Sequence, residues 1–363
     1  ENTSRATAQG PHNSDLEPPT GCHRDATSES ARNGCSNSPR SSCESMEKPL
    51  VAASACLLGS PVRYNGDACE FRPLSRAWSE HLKLLPVCPE VGIGLGTPRP
   101  TIRLSRGPDG VRLIEPRSGK DLTDSMVAWA QQTSDDLAGL GVNGLVLKKD
   151  SPSCGVERVK VHPAKEGRPS RDGVGVFAMV FMALHPQIPV IEEGRLNDPN
   201  QAEHFLARVH FHHRWSLAGS KGWTAQRIMN FHQEHKIFLV ARTADAKRKL
   251  GRTIAKGFDA GLPAAEVALA YMIEAQEHLN VLTHRGRFAH AMERALARMD
   301  LALTGQGREQ VIRSIHAYRQ GHLPRMAPLV LLDHLAGIAG SIPPWLGHLS
   351  NPVPAATGVL ARV

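Results

Sequence analysis

The sequence predicts an α/β protein whose amino-terminal half is a parallel sheet with helices packed on it, followed by an all-α carboxyl-terminal domain. Three observations predict this. Between residues 49 and 194, short runs of branched apolar residues alternate with amphipathic stretches, the pattern of repeated strand-helix-strand units. From about residue 200 the strand signals give way to long segments with apolar residues three to four apart, such as AEVALAYMIEAQEHLNVLTH. A chain of 363 residues, at about 100 to 200 residues per domain, has room for two domains.

Residues 1–47 are rich in Ser, Asn, Pro, Thr and Gly and almost lack branched apolar side chains, so they bury too little surface to offset the entropy of ordering. A disordered tail is expected there. PLVAASAC (49–56) then reads as a strand, SRAWSEHLK (75–83) as a helix and LLPVC (84–88) as a second strand. SMVAWAQQTSDDLAGLG (125–141) has helical spacing, NGLVLK (143–148) reads as the third strand, and IPVIEEG (188–194) is strand-like. The change of character near residues 195–200 divides the chain into a sheet domain at 48–197 and a helical domain at 198–345. The Pro- and Gly-rich end, IPPWLGHLSNPVPAATG, is expected to run over the surface, with 346–363 as an irregular tail. No internal repeat is visible.

A net charge of +8 suits a polyanionic partner, because Lys and Arg that neutralise phosphates release counterions, and it equally suits a merely soluble basic protein. The longest apolar run, around Val174 to Leu184, falls well short of the roughly 18 to 20 residues that cross a bilayer, and no charged-then-apolar leader opens the sequence. No membrane partner is expected. Seven cysteines are an odd number and too sparse for a disulfide scaffold, so a reducing cytoplasm with metal-binding or catalytic thiols fits them best.

Right-handed crossovers bring the carboxyl ends of parallel strands to one edge of the sheet, where open α/β folds bind ligands. Cys56 ends the first strand, Cys88 ends the second, and Cys154 follows the third by the short loop KDSPS. Three thiols with Gly or Pro close by can hold an iron-sulfur cluster, since thiolates are the usual iron ligands and small neighbours keep bulk off the core. The same cysteines can also be small core residues. Zinc normally has ligands paired two to four residues apart, unlike these widely spaced thiols. Cys69 reads either as a fourth ligand or as packing. Glu90, two residues after Cys88, would reach the same crevice as a general acid-base group, or else sit on the surface as a helix-start carboxylate. Ser151 and Ser153 can bond a cluster, a substrate or their own turn.

SACLLGSPVRYNG (54–66), PVCPEVGIGLGTPRPTIRL (86–104) and LKKDSPSCG (147–155) resemble the signatures of the thiouracil desulfidase (TudS) family over residues 48–195. NFHQEHKIFLVAR (230–242), EHLNVLTH (277–284) and AYRQGHLPRMAPLVLL (317–332) resemble the helical accessory domain of YbgA-like proteins. Fusions of the two look like the RudS-type desulfidases that act on 4-thiouridine in tRNA. The resemblance implies a 4Fe-4S cluster held by Cys56, Cys88 and Cys154, with the fourth iron open to a thiocarbonyl sulfur, Glu90 as the acid-base residue and Ser151 assisting. It further implies a non-redox reaction on thiolated uracil, as free base, nucleotide or tRNA, in which C=S becomes C=O and hydrosulfide leaves.

The sequence departs from the family pattern after RYNG, where DACEF stands in place of a His and basic residues, and in its long cysteine-containing tail. In the helical half, Lys247, Arg248, Lys249, Arg252 and Lys256 form a basic cluster that can track tRNA phosphates or be a solvated face. His232, His235 and His284 read as packing or surface residues before metal ligands. Two other readings stand beside the desulfidase: a non-catalytic iron-sulfur protein that binds RNA or senses, and a zinc-dependent nucleobase hydrolase.

Overall fold

The computed structural model describes residues 48–299, 305–338, 340 and 342–353. The expected tail at 1–47, and the part of the carboxyl-terminal tail from residue 354, lie outside the described residues.

The first sheet is parallel throughout, in the order β2, β1, β5, β8, with β1 at Leu50–Ser54, β2 at Lys83–Val87, β5 at Gly144–Leu147 and β8 at Val190–Glu192. Its central strands β1 and β5 are buried and largely apolar on both faces, as a sheet covered on both sides requires. Ala52, Leu145 and Leu147 face α2 (Thr123–Gly139) and α3 (Val176–Leu184), where they meet Ala130, Phe177 and Phe181. Val51, Ala53 and Val146 face the other way, toward Phe205 and Val209 of α4 (Pro199–Gly219). The expected strands at 49–56, 84–88, 143–148 and 188–194 are these four.

A second four-stranded sheet, β4, β3, β6, β7, was not anticipated. It contains β3 (Arg103–Gly107), β4 (Gly110–Ile114), β6 (Val159–His162) and β7 (Ser170–Gly173), with β3 antiparallel to β4 and parallel to β6. Its strands are short and carry Gly, Lys and Asp, which strand propensity disfavours. The helix expected at 75–83 is instead a five-residue π-helical turn, Pro73–Ala77, followed by turns that bury Trp78 and Leu82. Between β2 and β3, Pro89–Gly92 forms the short helix α1.

The remaining elements are helical: α5 (Ala225–Val240), α6 (Ala246–Asp259), α7 (Ala264–Leu279), α8 (Arg285–Arg298), α9 (Gly305–Gln320), α10 (Met326–Ile338) and α11 (Pro344–Ser350). α4 starts at Asp198, whose side chain accepts from the Asn200 N–H, with Pro199 in the first turn. α11 differs from the expected surface tail: Trp345, Leu346 and Leu349 are buried against a core built from α5 and α8–α10, and Pro343 and Pro344 start the helix rather than preventing it. Among the described residues no helix is long and apolar enough to cross a membrane.

Candidate functional site

The carboxyl ends of β1, β2 and β5 open on a cavity of about 350 Å³, lined among others by Cys56, Cys88, Glu90, Arg99, Ser151 and Cys154. The residues singled out from the sequence for thiol and acid-base chemistry therefore share one cavity. Each arrives by a different local device. Cys56 lies in the 3-10 turn Ala55–Leu58 that closes β1 at Gly59, a left-handed glycine with φ 92°. Cys88 is the residue before α1, with Pro89 in the first turn of that helix.

Cys154 is placed by the turn SPSCG. The Ser151 hydroxyl oxygen accepts from the backbone N–H of Ser153 at 3.2 Å and of Cys154 at 3.1 Å, and the Gly155 N–H returns to the Ser151 carbonyl at 2.8 Å. Both accepting positions of that oxygen are used, so its own proton remains for the cavity. The turn then caps α3: the Val176 and Phe177 N–H groups donate to the carbonyls of Pro152 and Ser153 at 3.1 and 3.0 Å. A Cβ on Gly175 would stand 2.5 Å from the Ser153 carbonyl carbon and 2.7 Å from the Cys154 nitrogen, which is why the helix starts on glycine. Asp150 and Arg158 flank the turn with left-handed backbones, φ 59° and 55°.

Glu90 accepts from the Cys88 thiol at 3.5 Å and pairs with Arg99 at 3.8 Å, with both side chains largely buried. Arg99 also donates to the Gly96 carbonyl at 3.2 Å and the Thr97 hydroxyl at 3.3 Å, while its backbone N–H reaches the Tyr64 carbonyl at 2.8 Å. It ties the two loops over the cavity together. The sequence reading did not single it out; the signal was a lone cation in an otherwise Gly, Pro and Thr loop. Lys148, another lining residue missed in the sequence, is ion-paired to Glu193, and its backbone N–H donates to Ser54 Oγ at 3.0 Å.

Burial, then the nearby Glu90 carboxylate, raises all three thiols, Cys56 to about 11 and Cys154 well above the ordinary cysteine value. Thiols held so high are not free nucleophiles; they become thiolates when a metal replaces their protons. An all-sulfur donor set selects soft or iron-sulfur chemistry. A single tetrahedral zinc, with Zn–S near 2.3 Å, needs sulfurs about 4 Å apart. Among the described residues, the group of donors that closes within 4.8 Å is Glu234, His235 and His348, and the cavity thiols do not form one. Their wider spread around a shared cavity fits a polynuclear cluster. Cys69 is half-buried and its N–H bonds the Cys56 carbonyl at 2.9 Å, but it is not among the lining residues.

His232, His284 and His235 are otherwise engaged. His232 contacts the Tyr271 hydroxyl at 3.2 Å, and His284 caps α8 through the Gly286 N–H. His235 is held at one ring nitrogen by the Phe231 carbonyl and at the other by Arg214, so it has no lone pair left for a metal. Lys247, Arg248, Lys249, Arg252 and Lys256 are all exposed on α6.

Comparison with known proteins gives a family model described as 2-thiouracil desulfurase over residues 51–193, and one described as a protein of unknown function, DUF1722, over residues 236–340. The uncharacterized protein YbbK of Bacillus subtilis (strain 168) is 30% identical over 111 residues, 29% of this chain and 73% of YbbK. A solved structure described as a 4Fe-4S-dependent thiouracil desulfidase, TudS, is 32% identical and covers 41% of this chain and 94% of its own, with a TM-score of 0.33.

Proposed function

The chain belongs to the 2-thiouracil desulfurase family, and from that premise we propose that it hydrolyses the thiocarbonyl of thiolated uracil with the help of a 4Fe-4S cluster held by Cys56, Cys88 and Cys154. The observation that carries the reading is one cavity lined by three thiols from three strand ends together with a carboxylate. In the overall reaction the oxygen of water bonds to the ring carbon, the carbon-sulfur bond breaks, and sulfur leaves as hydrosulfide, with no net electron transfer. The cluster, when bound, would supply an iron with affinity for the thiocarbonyl sulfur.

The protein's own groups supply the rest. Glu90 takes a proton from the attacking water and returns it to the leaving sulfur, which departs as hydrosulfide, while Arg99 keeps the carboxylate fixed. Ser151 locks the turn that carries Cys154 and has a hydroxyl proton for the substrate. Val62, Pro100 and Ile102 give the pyrimidine an apolar wall that limits water, and Tyr64, about half exposed and stacked by Arg63 at 5.7 Å, offers a ring face for a base at the cavity's edge.

4-Thiouridine in tRNA is the substrate this reading favours, with the exposed cations of α6 tracking RNA phosphates in a protein of the cytoplasm. The test is hydrosulfide release by anaerobically prepared full-length protein from thiolated tRNA, 4-thiouridine 5′-monophosphate and 2-thiouracil. Iron and sulfide near four each per chain, with turnover lost in Glu90→Gln at unchanged iron, would support it. Zinc in place of iron, or full turnover without Glu90, would overturn it. Charge reversal of Lys249, Arg252 and Lys256 should depress turnover on tRNA while sparing the free base; equal loss on both would remove tRNA from the proposal.

A further inference from the structure

A second cavity, of about 810 Å³, lies in the helical half, lined among others by Glu203, Arg242, Thr283, Arg285, Tyr318 and Arg325, none of which belongs to the thiol cavity. Glu203 pairs there with Arg242 at 3.2 Å and with Arg325 at 3.6 Å, and all three side chains are at most 5% exposed. One buried carboxylate thus faces two buried guanidinium groups. Burial alone would raise the Glu203 carboxyl, yet the two arginines outweigh it and hold it below its ordinary value. Asp198, the other acid on the wall, is engaged in capping α4 through the Asn200 N–H at 2.8 Å.

The surplus charge has unused donors. Arg325 Nη2 is buried without a hydrogen-bond partner among the described residues. Arg242 donates to the Thr283 oxygen, which leaves the threonine proton to give. Arg285, exposed at the rim, stacks over Tyr318 at 5.7 Å, and Arg325 stacks over Phe288 at 4.9 Å, so ring faces fix both guanidinium planes and leave their N–H edges for an acceptor. A buried, unneutralised guanidinium with an orphan N–H is costly, and a tetrahedral oxyanion satisfies both faults at once.

We infer that this cavity is a phosphate site: Arg325, Arg285 and Thr283 grip the phosphate group of a small phosphorylated compound, and the remaining volume, walled by Tyr318, Leu282 and Leu323, takes the body of that compound. The inference stands apart from the reading of the thiol cavity. At about 810 Å³ the space exceeds what an inorganic anion fills and suits a ligand of nucleotide size.

Calorimetric titration and thermal melting of the full chain at constant ionic strength test it, with sodium phosphate, adenosine 5′-monophosphate and adenosine as probes and potassium chloride as reference. Adenylate is chosen because its base is not a uracil. A saturable rise in Tm with phosphate or adenylate, absent with chloride and with adenosine, is the expected result. Adenylate tighter than phosphate is expected, because the rest of the cavity takes the nucleoside; equal affinities would overturn that part and leave the site to the anion alone. Arg285→Ala, at the rim, should weaken binding about tenfold without moving the ligand-free Tm. Arg325→Lys, which keeps the charge but not the fork, should weaken it further. No rise beyond that given by chloride, the same affinity in Arg285→Ala, or adenosine binding as well as adenylate would overturn the inference.

Discussion

At Glu90 a single carboxylate touches both a thiol and a guanidinium, and the consequences of losing each neighbour differ. Glu90→Gln keeps the shape but removes the proton acceptor and leaves the buried Arg99 without its counter-ion, so turnover should fall about a hundredfold or more and the Tm should drop, while iron per chain holds. Arg99→Leu leaves Glu90 largely buried without its counter-ion and releases the loop held through Gly96 and Thr97, so it should cost up to about 3 kcal/mol of stability, read as the urea midpoint, besides activity. If Arg99→Leu were as stable as the parent, the pair would be a bystander. That Cys56, Cys88, Cys154 and Glu90 share one cavity was legible in the sequence because each lies at or within a short loop of the carboxyl end of an apolar strand, and a parallel sheet collects strand ends. Arg99 was not, because its partnership depends on a Gly and Pro loop folding back over the cavity, and no spacing rule encodes such a loop.

At the scale of elements, the SPSCG turn and α3 form one device. Val176 and Phe177 hang from the turn's carbonyls, and Gly175 lets the backbones approach to where a methyl would overlap Ser153. Gly175→Ala should therefore push the turn away by strain of about 1 to 3 kcal/mol and misplace Cys154, lowering iron retained per chain with the other thiols intact. Unchanged iron and Tm would show that the turn adjusts freely. The parallel sheet was readable from LVAAS, KLLPV and GLVL, whose apolar runs alternate with helical segments, and the central two, LVAAS and GLVL, are buried on both faces. The second sheet was hidden because β7 is Ser-Arg-Asp-Gly, held by pairing with β6 and not by its own propensity. α11 was hidden because proline reads as a breaker unless it falls in a first turn, as Pro344 does.

At the scale of the whole described fold, α4 joins the sheet to the helices: it covers one face of the parallel sheet and carries several buried histidines. Gly144 of β5 runs so near that a Cβ there would meet Val209 at 2.6 Å, and Asn143 bonds the Leu50 N–H at 3.1 Å and the His212 ring at 3.1 Å. Burial holds His204, His212 and His232 down to about 4 from an ordinary value of 6.5, so the native state keeps them neutral where the unfolded chain would bind protons. Their contribution to stability is accordingly complete above pH 6.5 and is lost as pH falls toward 4. At pH 5 each should cost about 2 kcal/mol, so the Tm should fall steeply between pH 7 and pH 5. A flat profile over that interval would mean the histidines gain charge partners on protonation. The same helix decides what truncation can reveal. Ending the chain near residue 200 strips Phe205 and Val209 from the face of Val51, Ala53 and Val146, so a fragment of 48–199 should aggregate or melt early even if its thiol cavity is complete. A fragment ending after Gly219 keeps that face covered but bares Phe211 and Trp215, which pack on Phe231 of α5. Both fragments should therefore melt below the full chain, the shorter one lower. If 48–199 melted like the full chain, α4 would be dispensable to the sheet, and loss of tRNA turnover on truncation would then report on substrate presentation alone.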